Sequence, residues 1–285
     1  MRIHPAARAA AAVDIDLQRE DQVVPIHAHQ ELALASHVRA CQCDGHIILL
    51  DLRRSRYLGI DACASRVLAQ RIQHWPKGSQ NHDHRNDHDL GTSATTDLLH
   101  KLVSRGLVVN ARAPSTGDDV PPRPAPFDNL EEATSTIELD HALEEAPGRS
   151  TTSRAAASLR RSLQFARSVA CAACCIRCRS LQSIASMVAR RRARLHGPQV
   201  GDIESMKPRV AAYERLRPFV FTARDECLLD SLALINFLAH DGLAPRWVLG
   251  VRTGPFGAHA WVQAGHTVLS DQHEYVRQFR PILVV

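Results

Sequence analysis

The stretch GVRTGPFGAHAWVQAGHTVLSD, residues 250–271, predicts a β-hairpin that carries a histidine and an aspartate. Its segments AHAWVQA and HTVLSD are predicted to be antiparallel strands joined at Ala264-Gly265-His266. A turn centred on Gly265 pairs positions that lie equally far from it, so His259 and Asp271 are predicted to face each other. A slip of one residue would put them on opposite faces. The segment RWVLGV is predicted to be the preceding strand, and TGPFG a turn.

A helix is predicted just before this hairpin, in ARDECLLDSLALINFLAHDG, residues 223–242. Asp225 is a suitable N-cap, and Gly242 is a suitable stop residue. Cys227 then falls in the first turn, where unpaired N–H groups and the positive end of the helix dipole stabilise a thiolate and can receive an oxyanion. The predicted buried face is formed by apolar residues at helical spacing: Leu228, Leu232, Ile235 and Leu238.

These three side chains have the chemistry of a cysteine nucleophile with its partners. Cys227 would attack a carbonyl, His259 would move the proton, and Asp271 would orient the imidazole. The thioester could equally be intercepted by an amine, and a non-enzymatic binding protein is a third possibility. Trp261 and Phe256 are predicted to be core or pocket wall, with Trp261 as a candidate substrate contact. Other histidines nearby fit a catalytic role less well: His240, His266 and His273.

Residues 37–110 predict a small separate domain. HVRACQC, an Asp44-Gly45 turn and HIILLDL form a hairpin, and SRYLGI is a third strand. Asp61 is predicted to cap a helix that ends near residue 73, and a second helix over 94–105 stops at Gly106 before the strand LVVN. Residues 1–36 are predicted to be poorly ordered.

The middle of the chain is less specific. Residues 111–130 are dense in proline and predict a linker. We predict a short helix over 131–145 and a long arginine- and alanine-rich helical region over 153–195, ended by Gly197-Pro198. The second domain is predicted to span 131–285, which makes the fold class α+β.

Composition excludes several classes of protein. A net charge of +5 from 35 basic and 30 acidic residues is too mild to indicate a nucleic-acid partner. The run of arginines at 190–194 is a solvated helix face or a contact for an anionic partner. No apolar stretch is long enough for a membrane span or a signal peptide, so we expect a cytoplasmic protein with reduced thiols.

Two clusters could suggest a metal, but we predict none. CAACCIRC, residues 171–178, puts its cysteines at i, i+3, i+4 and i+7 on one helix face, which favours packing over tetrahedral zinc. NHDHRNDHD could chelate a metal weakly through its histidines, but a solvated loop is the simpler interpretation. Those histidines are His82, His84 and His88.

The segment from Leu249 to Asp271 resembles the lasso-peptide biosynthesis protein B family, with Cys227 placed 32 residues before His259 and Asp271 placed 12 after it. The GVR-x-x-PF-x-x-H-x-W-V pattern is the specific part; Gln263 departs from the acidic residue that often follows. The resemblance implies a papain- or transglutaminase-like cysteine peptidase that removes the leader of a ribosomal precursor peptide.

The same resemblance implies a winged-helix-like recognition domain at the N-terminus. In that family the leader adds as a strand beside the third strand and packs on the last helix. Carried onto this chain, its contacts would be Arg56, Tyr57, Leu58, Leu98, Lys101 and Leu102, or these residues are ordinary core. The family also implies an asparagine-synthetase-like lasso cyclase as partner and a need for ATP. This chain has no G-x-x-x-x-G-K-[ST] loop, so we assign ATP to the cyclase.

Overall fold

The structure is a computed structural model that describes residues 31–73, 75–76, 92–111, 130–139, 151–195, 203–221 and 226–285. Several predicted features lie outside these residues: the poorly ordered start up to 30, the linker over 112–129, the histidine-rich loop, Gly197-Pro198 and Asp225. The chain divides into two compact units. One comprises residues 8–123 with 251–257, and the other comprises 1–7, 124–250 and 258–285.

The N-terminal unit contains the predicted three-stranded sheet. After a short strand β1 (Leu32–Leu34), strands β2 (Val38–Cys43), β3 (His46–Asp51) and β4 (Arg56–Ile60) pair as successive antiparallel neighbours. Asp44 and Gly45 both have positive φ, 46° and 80°, which is the tight-turn geometry predicted for them. β4 is an edge strand, because its only pairing among the described residues is to β3.

Two helices pack on this sheet as predicted. Asp61 caps α1 (Ala62–Arg71) by accepting hydrogen bonds from Cys63 N and Ala64 N at 2.8 and 2.9 Å. A short strand β5 (Ile72–Gln73) follows, and α2 (Thr92–Ser104) ends before Gly106, whose φ is 70°. Strand β6 (Val108–Asn110) completes the unit.

A second small sheet was not predicted. β1 pairs parallel with β5 and antiparallel with β6. Residues 32–34 are therefore ordered, and the predicted poorly ordered start is wrong for this part. Three residues carry too short a hydrophobic pattern to identify a strand, and its two partners lie far along the chain.

Three helices precede the cysteine-bearing one in the C-terminal unit. The predicted long helical region is two helices, α3 (Thr151–Cys178) and α4 (Leu181–Arg194). Ser180 separates them because its side chain accepts the Ser183 N–H at 3.3 Å and so caps α4. Helix α5 (Ile203–Leu216) and a short 3-10 turn (Arg217–Phe219) follow.

The predicted helix over 131–145 is wrong for its described part. Residues 130–139 are extended and include β7 (Ser135–Thr136), which pairs parallel with a strand of the hairpin. Thr134 N and Ile137 N donate to His266 O and Val268 O at 3.0 and 2.9 Å. The free edge of the sheet thus satisfies the backbone of this segment, which overrides its weak helical pattern.

Helix α6 (Cys227–Ala239) packs against α3 in the centre of this unit. The apolar face was expected to be one stripe, but residues 230–238 are all buried. Leu232, Ile235 and Leu238 are buried as predicted, whereas Leu228 is partly exposed. Gly242, with φ of 75°, follows the end of the helix as predicted.

The sheet of this unit has five strands in the order β11-β8-β9-β10-β7. Strands β8 (Arg246–Thr253) and β9 (Phe256–Ala264) confirm two predicted strands. Strand β10 (Thr267–Val268) is short, and helix α7 (His273–Val276) and strand β11 (Arg280–Val284) end the chain. The mixed sheet and helices confirm the α+β class.

The predicted register of the last hairpin is wrong by one residue. Thr267 pairs with Ala264 and Val268 pairs with Gln263, so the centre of the turn lies between Gly265 and His266. The strand also ends at Val268. Asp271 therefore does not lie directly across the ladder from His259 but follows the strand, in the bend before α7.

Candidate active site

One cavity of about 740 Å³ opens within the C-terminal unit. Cys227, His259 and Asp271 all line it, although they come from a helix start, a strand and a bend. The remaining wall comes from β7 and its neighbours, the end of α5, and α7. The structure thus brings together the three residues that the sequence pattern singled out, in a space large enough for part of a peptide.

Cys227 is the first residue of α6 and is partly exposed. The preceding Glu226 occupies the N-cap position, and its side chain makes no capping hydrogen bond. The first N–H groups of the helix are therefore not capped by that side chain. A thiolate at Cys227, or an oxyanion formed beside it, would lie at the positive end of the helix dipole.

His259 is coupled to both partners. Its Nε2 lies 2.9 Å from Asp271 Oδ2, and its side chain also hydrogen-bonds Cys227. Because Nε2 is engaged by the carboxylate, Nδ1 is the ring nitrogen left for the thiol. Asp271 reaches His259 in spite of the shifted register because the chain turns after Leu269, whose N–H still bonds Val262 O at 2.8 Å.

The electrostatics favour a protonated imidazole. Burial alone would lower the pKa of His259, but the hydrogen bonds with Asp271 and Cys227 outweigh it and raise the pKa from 6.5 to about 9. For Asp271, burial opposes ionisation, while the His259 ring and the Gln272 N–H lower the pKa of its carboxyl. An imidazolium beside Cys227 stabilises a thiolate, which is the nucleophilic form of cysteine.

Three aromatic side chains pack against the His259 ring. Tyr275 and Phe279 contact it with ring centres at 5.0 and 5.2 Å, and Trp261 stacks nearly parallel at 6.2 Å. Trp261 is only 2% exposed, donates its indole N–H to Gln263, and is not among the residues that line the cavity. The structure therefore places Trp261 in the core beside the histidine, and not where a substrate would touch it.

Gln263 departs from the pattern of the family that the sequence resembles. Its amide donates to Glu131 O and Gly265 O at 2.6 and 2.8 Å while its oxygen accepts from Trp261 at 3.0 Å. This buried amide ties the extended segment that carries β7 to the hairpin. The departure is thus accommodated in the core, away from the thiol.

A buried polar network next to the cavity was missed by the sequence interpretation. Asp230 accepts the Tyr213 hydroxyl at 2.8 Å, and its second oxygen accepts Arg217 Nε and Nη2, both at 2.7 Å. Burial raises the pKa of Tyr213, so the phenol acts as a neutral donor. The available signal was a charged residue inside a mostly apolar helix, one turn after Cys227.

The other histidines near the hairpin are not among the residues that line the cavity. His240 is exposed just after α6. His266 Nδ1 donates to Glu132 O at 3.1 Å, and its Nε2 lies 3.3 Å from Glu131. His273 begins α7 and bonds the Thr136 hydroxyl at 3.0 Å.

The residues assigned to a leader groove lie together in the N-terminal unit. Arg56 is exposed on the edge strand β4, while Tyr57 and Leu58 are partly buried. Tyr57 contacts Phe256, with ring centres 5.7 Å apart. On α2, Leu98 and Lys101 are partly exposed, but Leu102 is only 1% exposed. Leu102 thus lies in the hydrophobic core of this unit, where a peptide could not touch it.

The cysteine cluster on α3 is only partly a packing feature. Cys175 is buried, as predicted, but Cys171, Cys174 and Cys178 are exposed, because the four do not all share the inward face of the helix. Within the described ranges, no group of three or more His, Cys, Asp or Glu side chains is arranged to hold a metal ion. The histidine-rich loop lies outside those ranges.

Comparison with known families gives one match. A family model described as the transglutaminase-like superfamily matches residues 168–284, which include α6, the hairpin and all three cavity residues. Residues 168–284 form a transglutaminase-like superfamily domain. This superfamily is of the cysteine-peptidase and acyltransferase type. Comparisons with curated proteins and with solved structures found no match. No helix in the described part of the chain has both the length and the apolar character needed to cross a bilayer.

Proposed function

We propose that this protein is a cysteine peptidase in which Cys227 attacks, His259 transfers protons and Asp271 orients the imidazole. The observation that carries the proposal is the meeting of these three side chains in one cavity of a transglutaminase-like domain. The cysteine lies at a helix start, and the histidine contacts both the thiol and a carboxylate. This arrangement has the parts of a nucleophile, its base and its orienting group.

The mechanism follows from these positions. The Cys227 sulfur adds to a substrate carbonyl while the N–H groups at the start of α6 stabilise the oxyanion. The tetrahedral intermediate expels the amine, which takes the proton from His259, and a thioester remains on sulfur. Water then attacks the thioester as His259 accepts its proton, and the acid product leaves as the C–S bond breaks, which regenerates the thiolate–imidazolium pair.

We further propose that the substrate is a lasso-peptide precursor whose leader binds the N-terminal unit. β4 supports this proposal because its outer edge has no strand partner among the described residues, so an extended peptide could pair there. The partly buried Leu58 and Leu98 would supply apolar contacts, whereas Leu102 would support the groove from the core. The winged-helix-like character and cytoplasmic location are parts of the same proposal.

The proposed partners are the precursor peptide and a lasso cyclase, and ATP is assigned to the cyclase. The charges of the cavity lining support this assignment. Two of the cationic side chains in the lining are paired with carboxylates, Arg217 with Asp230 and His259 with Asp271. Arg215 is paired with neither of these two carboxylates. No step of the peptidase mechanism uses the nucleotide.

Acyl transfer to an amine is the second candidate, because the transglutaminase-like superfamily includes transferases. Both reactions share the thioester and differ only in the acceptor that attacks it. Adding a primary amine such as glycine ethyl ester to the reaction distinguishes them. A peptidase gives the free acid, and a transferase gives the amide, which differs in mass.

The decisive experiment combines purified protein, precursor, cyclase and ATP, with leader release followed by mass spectrometry. We expect Cys227→Ala to slow release by about 10³-fold or more. Cys174→Ala, which removes an exposed thiol on α3, is the matched control and should behave as wild type. Leader release by Cys227→Ala at the wild-type rate would refute the proposed nucleophile.

A further inference from the structure

The active-site cavity is lined by more charged side chains than those of the triad, which is Cys227, His259 and Asp271. Two ion pairs are internally satisfied: Arg217 with Asp230 at 2.7 Å, and His259 with Asp271 at 2.9 Å. The lining residues that fall outside these two pairs include the acidic Glu214 and Glu226 and the basic Arg215, which is exposed. Outside these two pairs, the lining thus contains two carboxyl groups and one guanidinium group.

Glu214 is the unusual member of this set. It lies near the end of α5, is partly buried, and faces Arg217 Nη1 at 3.7 Å, which is too long for a hydrogen bond. The short bonds of Arg217 go to Asp230 instead. Among the residues that the structure describes, Glu214 accepts no hydrogen bond. The ion pair with Arg217 thus compensates the burial of this carboxyl only in part, because a partly buried acid without a short hydrogen bond costs free energy.

Glu214 also titrates close to neutrality. Burial raises the pKa of its carboxyl to about 7; Arg217 opposes this shift, and the carboxylates of Asp230 and Asp271 add to it. A cation placed beside Glu214 would replace the missing partner and favour the ionised form. Perturbed carboxyls in a cleft are candidates for function when geometry gives them a ligand to meet.

We propose that Glu214 is a specificity-determining residue that selects substrates with a cationic side chain close to the reacting bond. This inference rests on the proposed function of the cavity. Lysine and arginine side chains fit, because Glu214 lines the same cavity as Cys227 and its one ion-pair contact among the described residues, with Arg217, is too long for a hydrogen bond. Binding of such a side chain strengthens as the pH rises through about 7, because Glu214 then becomes charged.

The test uses charged thiol reagents, so it does not require the natural substrate. Cys227 is modified with 2-(trimethylammonio)ethyl methanethiosulfonate or with the anionic 2-sulfonatoethyl reagent. The thiolate attacks the reagent sulfur, a mixed disulfide forms and methanesulfinate leaves. The ratio of the two rates reports the local charge, and dividing one rate by the other removes the thiolate fraction. Exposed Cys174 in the same molecule is the internal reference.

We expect the cation-to-anion ratio at Cys227 to rise between pH 6 and pH 8.5. Glu214→Gln should lower the ratio at pH 8.5 by about threefold to tenfold and abolish its rise, because one nearby charge is removed. Glu214→Asp keeps the charge and should retain the rise. Glu204→Gln, an exposed position on the same helix, should match wild type.

The results distinguish a failure of the Glu214 assignment from a failure of Cys227 as the proposed nucleophile. An unchanged ratio in a folded Glu214→Gln protein, with Cys227 still reactive, overturns the assignment of Glu214 alone. If Cys227 reacts with neutral iodoacetamide no faster than Cys174, the proposed nucleophile fails instead. If Glu214→Gln does not fold, a Glu214→Asp protein whose ratio does not rise with pH overturns the assignment.

Discussion

At the scale of single residues, the proton on His259 controls whether the cavity can react. The pKa of about 9 keeps the ring protonated across neutral pH, because Asp271 and Cys227 both favour its charged form. We expect leader release to fall as the pH rises through about 9, where the imidazolium loses its proton. A plot of kcat/KM against pH measures this alkaline limb.

Asp271→Asn tests the cause of that limb. The substitution removes the carboxylate, so the limb should move to lower pH and the rate should fall on the order of 10²- to 10⁴-fold. The free energy of unfolding should also decrease as the pH rises, because the His259–Asp271 interaction weakens. Because folding raises the pKa of His259 from 6.5, the interaction stabilises fully below about pH 6.5 and is lost as the pH rises through about 9. An unchanged limb would show that Asp271 does not set the proton affinity.

The Asp230 network makes a second prediction at this scale. Tyr213→Phe removes the hydroxyl that donates to the Asp230 carboxylate at 2.8 Å and should cost about 1–3 kcal/mol in the free energy of unfolding. Asp230→Asn weakens two bonds to the partly exposed Arg217 and should cost about 1–3 kcal/mol. Urea unfolding measures both, and the double variant should cost less than the sum, because the residues share one network. Strict additivity would contradict that coupling.

The sequence predicts the three residues of the triad better than it predicts the side chains that surround them. Cys227, His259 and Asp271 could be singled out because each residue type has a chemical role and each lies at an informative place: a helix start, a strand and a strand end. Asp230 and Glu214 could not, because their character depends on which side chains they meet after folding. Trp261 was expected as a possible substrate contact, but its indole is enclosed by Gln263 and the histidine ring.

At the scale of elements, β8 leaves room for the Trp261 ring of β9 and for Phe279 because residue 250 is a glycine. A Cβ at Gly250 would lie 2.8 Å from the Trp261 ring and 2.9 Å from Phe279 Cβ. We expect Gly250→Ala to reduce the free energy of unfolding by about 1–3 kcal/mol, because Trp261 and Phe279 must shift. These rings also contact His259, so slower alkylation of Cys227 should accompany the loss.

Gly59→Ala is the matched control for this substitution. It also adds a methyl group in a strand, but its nearest neighbour, Ile48 Cδ1, lies at an ordinary 3.7 Å. We expect a change within about 0.5 kcal/mol. Equal effects of the two substitutions in urea unfolding would show that the loss comes from strand propensity and not from the crowded Trp261 ring.

The helices and strands also show where the hydrophobic periodicity of the sequence no longer predicts structure. Long patterns such as α3 and β9 could be predicted, because many residues repeat the same spacing. The two-residue strand β7 could not, since its partner β10 lies far away in the chain. The hairpin register failed by one residue for a related reason. Its turn conformation, with Gly265 at a φ of 56°, is not encoded by symmetry about one glycine.

At the scale of the whole molecule, the proposal assigns recognition and chemistry to different units. The Pro-rich segment and the change in sequence pattern indicated two parts, and the structure divides the chain into two compact units. What the N-terminal unit binds cannot be predicted from its fold alone, because an edge strand accepts any extended peptide through backbone bonds. Side-chain contacts along β4 and α2 must therefore provide the selectivity.

Substitution of those contacts should separate binding from reactivity. Leu58→Ala and Leu98→Ala each remove apolar surface that a leader peptide would cover, so we expect the Kd for the precursor to rise by about tenfold. The alkylation rate of Cys227 by iodoacetamide should not change, because that reagent needs only the cavity. Val67→Ala, which shortens an exposed apolar side chain on α1, is the control and should bind normally. Isothermal titration with the full-length protein measures the affinity. Tight binding by both leucine variants would place the leader elsewhere on the molecule and would leave the triad proposal untouched.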